Sequence, residues 1–369
     1  MSDTEMSGND KAVARPCLSH ILHEANYSMS KSLTNLQPKL LEPLPPSDKG
    51  WLPYNIRYDD AQLVVDCCNI ADSQLEDPFF DQTIHRFLRL VPYASQSTFF
   101  ETLVNINSKR TARKPTGFIF HISRCGSTLI AQILASLQQF VVFSEPAILE
   151  KVLRSTYSPV SVSNEQKHGL LENIIQAFLG YKAVEQETFV KFSARAILDD
   201  RLITQVVPSV RCIVVYREPV EVLVSLIGNQ TDRLPPGLEK AGLLNDDFQT
   251  ISRMRPAEYW ARVVANQCAA AVEMFSCSQP FLVNYSQLPE IVWTDLMNFF
   301  GVALSAGDME RMQQVCLRNS KQPHKPFSND TVNKRGAATS EIHELVDHFV
   351  LPYYNRLETI RMAAGRGPT

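Results

Sequence analysis

From residue 117 onward the chain repeats one pattern. A run of four to six apolar residues without polar alternation is followed by a polar turn, then by a segment of helical periodicity. Five such runs stand out: GFIFHI (117–122), FVVF (140–143), FVKF (189–192), CIVVY (212–216) and FLVNY (281–285). They are too short for helices and rich in β-branched and aromatic residues, and they show no wet face. They therefore read as strands buried on both sides. Between them, Leu129, Ile130, Ile133, Leu134 and Leu137 share one helical stripe, and residues 259–274 form a longer helical segment. Buried strands alternating with helices predict an α/β fold with a parallel β-sheet flanked by helices. Ligands of such sheets gather beyond the carboxyl ends of the strands, so the residues after each strand are the candidates for function.

The first 115 residues do not show this pattern. Residues 1 to about 30 are polar and read as mobile, and 41–53, LEPLPPSDKGWLP, reads as extended linker or turn. DPFFDQTIHRFLRLV (77–91) predicts a helix with Asp77 as its cap, Pro78 in the first turn and Phe80, Ile84, Phe87 and Leu88 on one face. Polar, basic NSKRTARKPTG (107–117) marks the boundary. The expected organisation is a mainly helical N-terminal extension over 1–115 and a main domain over 116–369.

Composition excludes several classes. With a net charge of −3 and a pI near 6.3, no basic footprint for nucleic acid or an acidic membrane surface is expected. The N-terminus has no apolar leader core, and no run of about 20 apolar residues is present, which points to a cytoplasmic chain without a membrane span. The eight cysteines show no CxxC spacing, and His343 and His348 have no third ligand nearby, so no metal is expected.

The strand at 117–122 runs into SRCGSTL (123–129) and then a helix. A glycine-containing turn before a helix N-terminus favours a bound phosphate or sulfate, since free N–H groups and the helix dipole both point at the anion. Gly126 permits close approach, Ser127 and Thr128 offer hydroxyls, and Arg124 a planar fork of donors. A Walker loop would need a lysine after the glycine, and Ser127 stands there. A cysteine phosphatase would need an arginine six residues after Cys125, where Ala131 stands. The other strands end in SEP (144–146), Lys191 with Ser193 and Arg195, Arg217, and Tyr285. Basic and hydroxyl groups thus converge with one carboxylate, Glu145.

SRCGSTL resembles the 5′-phosphosulfate loop of the sulfotransferase family, in the arginine-containing form of its tyrosylprotein and bacterial members. VYREPVEVLVSL (215–226) is similar to the family's 3′-phosphate motif, in which an arginine ends a strand and a serine follows eight positions later, as Arg217 and Ser225 do. FLVNYSQL resembles the motif whose tyrosine lies near adenine, which is Tyr285 here, and VNKRGAA (332–338) resembles the late phosphate clamp, with Lys334, Arg335 and Gly336. There the basic pair is in the other order and no Gly-Asp-Trp follows. The resemblance spans roughly 116–360.

What the resemblance implies is a P-loop NTPase-like sulfotransferase fold. It implies transfer of a sulfuryl group from 3′-phosphoadenylyl sulfate, without metal, to a hydroxyl or amine of a small-molecule or peptide acceptor. The loop 124–128, with Cys125 in its middle, would hold the 5′-phosphosulfate; Arg124 and Lys191 would stabilise the transferring group. Glu145, 21 positions after Arg124, would be the base, because no histidine stands in KFSARAILDD (191–200). His121 reads as strand-end packing. The loop 228–248 would read the acceptor. Two other functions remain open: a nucleotide kinase-like P-loop transferase, and an inactive protein that keeps the nucleotide pocket.

Overall fold

The computed structural model describes residues 50–59, 62–70, 73–158, 161–181, 186–228, 243–244, 246–328 and 330–364. The stretch expected to be mobile, most of the 41–53 linker and most of the 228–248 loop lie outside the described residues.

The described N-terminal part is mixed rather than mainly helical. Strands β1 (Trp51–Asp59), β2 (Gln62–Asn69) and β3 (Ser95–Phe99) form an antiparallel sheet in the order β1-β2-β3. Helices α1 (Phe80–Leu90) and α2 (Phe100–Ser108) accompany it. Pro53, in the stretch expected to be extended linker or turn, lies within β1. It is tolerated because β1 is an edge strand and its pairing with β2 shifts register between Pro53 and Asn55. Helix α1 begins at Phe80, later than the sequence suggested, with Phe79 at its N-cap. Asp77 does not cap it; its carboxylate accepts hydrogen bonds from Thr83 and Arg86 one to two turns in. The apolar face is as expected, with Phe80, Ile84 and Leu88 buried.

The main sheet contains all five expected strands: β4 (Gly117–His121), β5 (Phe140–Ser144), β6 (Glu187–Lys191), β7 (Arg211–Tyr216) and β8 (Phe281–Asn284). All pairings are parallel, in the order β5-β6-β4-β7-β8. Along β4, Phe118 and Phe120 enter one apolar cluster and Ile119 another. Both faces are dry, which is why the strand sequences do not alternate. One cluster also takes in Leu52, Ile56 and Val65 of the antiparallel sheet with Phe143 and Phe178, so that sheet covers helices α4 (Ala147–Arg154) and α5 (Asn164–Leu179).

Strand β4 is the switch point: the chain builds β5 and β6 to one side of it and β7 and β8 to the other. A crevice opens at the carboxyl ends there, and α3 (Ser127–Ala135) starts at its floor. Beyond β6 and β7 come α6 (Asp200–Val206) and α7 (Pro219–Gly228). Beyond β8 the chain adds a short helix α8 (Asp295–Phe300), then α9 (Ala306–Val315) and α10 (Thr331–Gly336), with residues 316–330 between the last two.

Candidate functional site

The turn after β4 reaches its shape through two left-handed residues, Arg124 at φ 61° and Gly126 at φ 89°. Gly126 is required for a second reason. A Cβ there would meet Tyr285 Cδ2 at 2.7 Å and Leu288 Cδ1 at 3.0 Å. Ser127 and Thr128 are buried in the first turn of α3, and both line a cavity of about 190 Å³ with His121, Arg124 and Cys125. A second cavity of about 400 Å³ adjoins it, and Leu129, Arg217, Tyr285 and Phe327 line both.

The two sequence motifs meet. Arg124 Nε donates to Ser225 Oγ at 2.8 Å, so the loop after β4 is bonded to the arginine–serine helix α7. Buried Arg217 stacks over the Tyr285 ring at 3.9 Å, and that ring rests against Gly126. The guanidinium is also tied to Glu221 by its Nε at 2.6 Å, and its Nη2 reaches Asp330 and the Thr331 hydroxyl, each at 3.1 Å. Glu221 is buried and shared with Arg335, whose Nε donates at 2.8 Å. Lys334 pairs with Asp330 at 2.7 Å. Lys334 lines the smaller cavity and Arg335 the larger; Gly336 lines neither and has open space around it.

Glu145 also lies in the left-handed region, at φ 52°. Such residues cost about 1–3 kcal/mol each and persist only where surroundings hold them. Its N–H bonds Lys191 O at 2.7 Å, and its carboxylate takes a hydrogen bond from Lys191 Nζ. Buried His121 brings Nε2 to 3.3 Å of the same oxygen, an ion-pair contact whose angle misses a hydrogen bond. Burial alone would raise the Glu145 pKa; the Lys191 charge and His121 overcome it and hold the carboxyl well below the usual range. Burial pushes His121 down, yet Cys125 and Glu145 lift it to about 9. At neutral pH Glu145 is therefore a carboxylate and His121 an imidazolium.

Lys191 is not on the cavity wall. It is fully buried and pairs with the Glu145 carboxylate, which does line the wall. Beside Arg124, Arg217 and Lys334, the wall carries a cation that the sequence reading missed, Lys321 in 316–330. Its side chain keeps access to solvent, but burial and the charges of Arg124 and Lys191 still lower its pKa to about 8. Asn319 shapes this stretch by accepting the backbone N–H groups of Lys321 and Gln322. No strand precedes Lys321 and no glycine motif flanks it, so no local pattern marks it. Asp330 escaped notice for the same reason; Glu221 lies inside the 215–226 motif, but its burial against Arg217 and Arg335 is a tertiary feature. Arg195 sits outside the cavities, 3.9 Å from Glu150. Among the described residues, no group of three His, Cys, Asp or Glu is placed to hold a metal ion.

The fold and site together are those of an α/β protein with a basic cavity and a glycine-containing turn at the switch point of a parallel sheet. Solved structures similar to this chain are sulfotransferases. One, from Alicyclobacillus acidocaldarius, is 14% identical over 68% of this chain and 97% of its own, with a TM-score of 0.42. The sulfotransferase domain of a Synechococcus olefin synthase is 15% identical over 68% of this chain and 95% of its own, at 0.40. Mouse sulfotransferase SULT7A1, solved in complex with PAP, is 10% identical over 70% of this chain and 88% of its own, at 0.36. No protein-family model and no curated protein matches the chain. No helix among the described residues is long and apolar enough to cross a membrane.

Proposed function

We propose that the protein is a sulfotransferase that moves the sulfuryl group of 3′-phosphoadenylyl sulfate to a hydroxyl or amine of a small-molecule or peptide acceptor. The observation that carries this reading is the junction of the two phosphate motifs, the 2.8 Å bond from Arg124 to Ser225 with Arg217 beside it. One ligand with a phosphate at each end of its ribose suits a site with two linked cationic poles. The residues fit such a donor. Arg124, Arg217, Lys321 and Lys334 outnumber Glu145 and Asp330 around the smaller cavity, and a side chain larger than glycine at 126 would collide with Tyr285.

In this reading the N–H groups opening α3, with Ser127 and Thr128, hold the 5′-phosphosulfate. Arg217, Ser225, Lys334 and Arg335 hold the 3′-phosphate, and Tyr285 meets the adenine. As the acceptor atom bonds sulfur, the bond from sulfur to the phosphate oxygen breaks, and adenosine 3′,5′-bisphosphate leaves. Arg124 and Lys321 stabilise the charge that develops on that oxygen. Glu145, ionised by Lys191 and His121, receives the acceptor proton. Lys191 is assigned to holding that base rather than to touching the sulfuryl group.

The test is ligand-dependent melting followed by transfer. Adenosine 3′,5′-bisphosphate at a hundredfold excess over its Kd stabilises by about 2.7 kcal/mol and raises Tm measurably. ATP leaves Tm nearly unchanged, and labelled sulfate appears on an acceptor in an unbiased screen. Equal stabilisation by ATP would move the protein to phosphoryl transfer.

A further inference from the structure

The turn that presents Glu145 does not hold itself. Pro146 is the N-cap of α4 and offers no capping side chain, while Glu145 before it lies in the left-handed region. Both flanks of the turn are instead fastened by one stretch of the N-terminal part. Before Glu145, Ser144 Oγ donates to Pro78 O at 2.8 Å in a buried bond. After it, the Ala147 N–H donates to Asp81 Oδ2 at 2.9 Å. From the same stretch the Phe79 ring lies 5.4 Å from Lys191 Nζ, against the ammonium that pairs with Glu145. Glu76 O takes a hydrogen bond from Gln132 on the anion-loop helix, at 3.1 Å. A separate tie fixes the next turn of α4, where Lys151 Nζ donates to Asn55 of β1 and Asn55 donates to Asp66 of β2 at 2.7 Å.

From these contacts we infer that residues 76–81 are a positioning clamp for the Glu145–Lys191 pair, with Asp81 as its principal residue. The clamp caps α4 from outside, in place of a side chain the Glu-Pro sequence cannot supply, and closes the turn on both sides of the base. The N-terminal part is in this way a component of the catalytic apparatus while contributing no group that touches a reacting atom. The inference rests on the sulfotransferase reading for its consequence in turnover, and on geometry alone for its effect on Glu145.

The experiment compares Asp81→Ala with Asp81→Asn in the full chain. Asparagine keeps an oxygen that accepts the Ala147 N–H; alanine does not. His121 reports where the Glu145 carboxylate is, because that carboxylate and Cys125 hold it against burial and Lys191, and its titration is followed by NMR. In the wild type the midpoint expected for His121 is near pH 9, raised by Cys125 and Glu145 against burial. Asp81→Ala lowers that midpoint by a pH unit or more, and Asp81→Asn restores it. With an acceptor in hand, Asp81→Ala lowers kcat at least tenfold while the donor KM stays within about twofold, and Asp81→Asn stays within about threefold of wild type in both. An unchanged His121 titration in Asp81→Ala overturns the clamp. If that variant does not fold, Ser144→Ala removes the other fastening and is read the same way. A wild type that transfers no sulfate ends the sulfotransferase reading, and the His121 titration still decides the clamp.

Discussion

Gly126→Ala tests the centre of the site with the smallest possible perturbation. The substitution adds one methyl group at φ 89°, next to Tyr285 Cδ2 at 2.7 Å and Leu288 Cδ1 at 3.0 Å. A left-handed L-residue costs about 1–2 kcal/mol. The clash cannot be relieved by the methyl, which is fixed to the backbone, so the Tyr285 ring must shift. That ring carries Arg217 at 3.9 Å, a contact of the kind worth about 0.5–2 kcal/mol. The total is about 2–3 kcal/mol, split between folding and the nucleotide site. A domain of 150–250 residues loses roughly 2–4 °C per kcal/mol and a larger one less, so with about half of the total in folding Tm falls by about 2–3 °C. Adenosine 3′,5′-bisphosphate affinity, measured by calorimetry below the melting range, falls by roughly tenfold or more. Gly169→Ala is the control, since a Cβ there meets nothing within 4 Å. A Gly126→Ala protein with wild-type Tm and affinity would refute the reasoning that the anion loop and the tyrosine are packed as one unit.

Arg217→Ala leaves Glu221 buried and paired with Arg335, and breaking a buried pair costs about 3–5 kcal/mol. Pairing it with Glu221→Gln recovers most of the lost Tm but not the bisphosphate affinity; recovery of both would remove Arg217 from the 3′-phosphate. Glu145→Gln keeps bisphosphate affinity near wild type and lowers turnover about 100-fold, within the usual range for a general base, and normal turnover in single-cycle assays would end that role. Lys321 is charged below its pKa of about 8 and neutral above it, so bisphosphate binding is strongest at pH 7 and falls above pH 8, by at most about tenfold per unit. Lys321→Arg, charged throughout, flattens that decline; an identical pH profile in the variant shows that Lys321 does not meet the ligand.

The five parallel strands were legible because each is a short local run with both faces apolar, and the turn at 123–126 because its glycine lies between a strand and a helix. Helix α1 was legible in its apolar face but not at its start, since Asp77 has a hydrogen-bonding option at Thr83 and Arg86 that competes with capping. The start of the antiparallel sheet was not legible because the proline-rich stretch 41–53 reads as linker or turn, and the tolerance of Pro53 in β1 depends on its being at an edge.

By itself the sequence determined the α/β class, the position of the glycine-containing turn before α3 and the Arg217–Ser225 spacing, all features set within a few turns of chain. Only the tertiary structure decided which charges share the site. Arg124 meets Ser225 across 101 positions, and Arg217 meets Asp330 across 113. Tertiary packing put Lys321 on the cavity wall, paired buried Lys191 with Glu145 and placed Asp81 under the turn that holds it. The reason is physical. Periodicity and capping are local energies that a short window records, whereas the field at a buried carboxylate is the sum over every group that folding brings within a few ångströms.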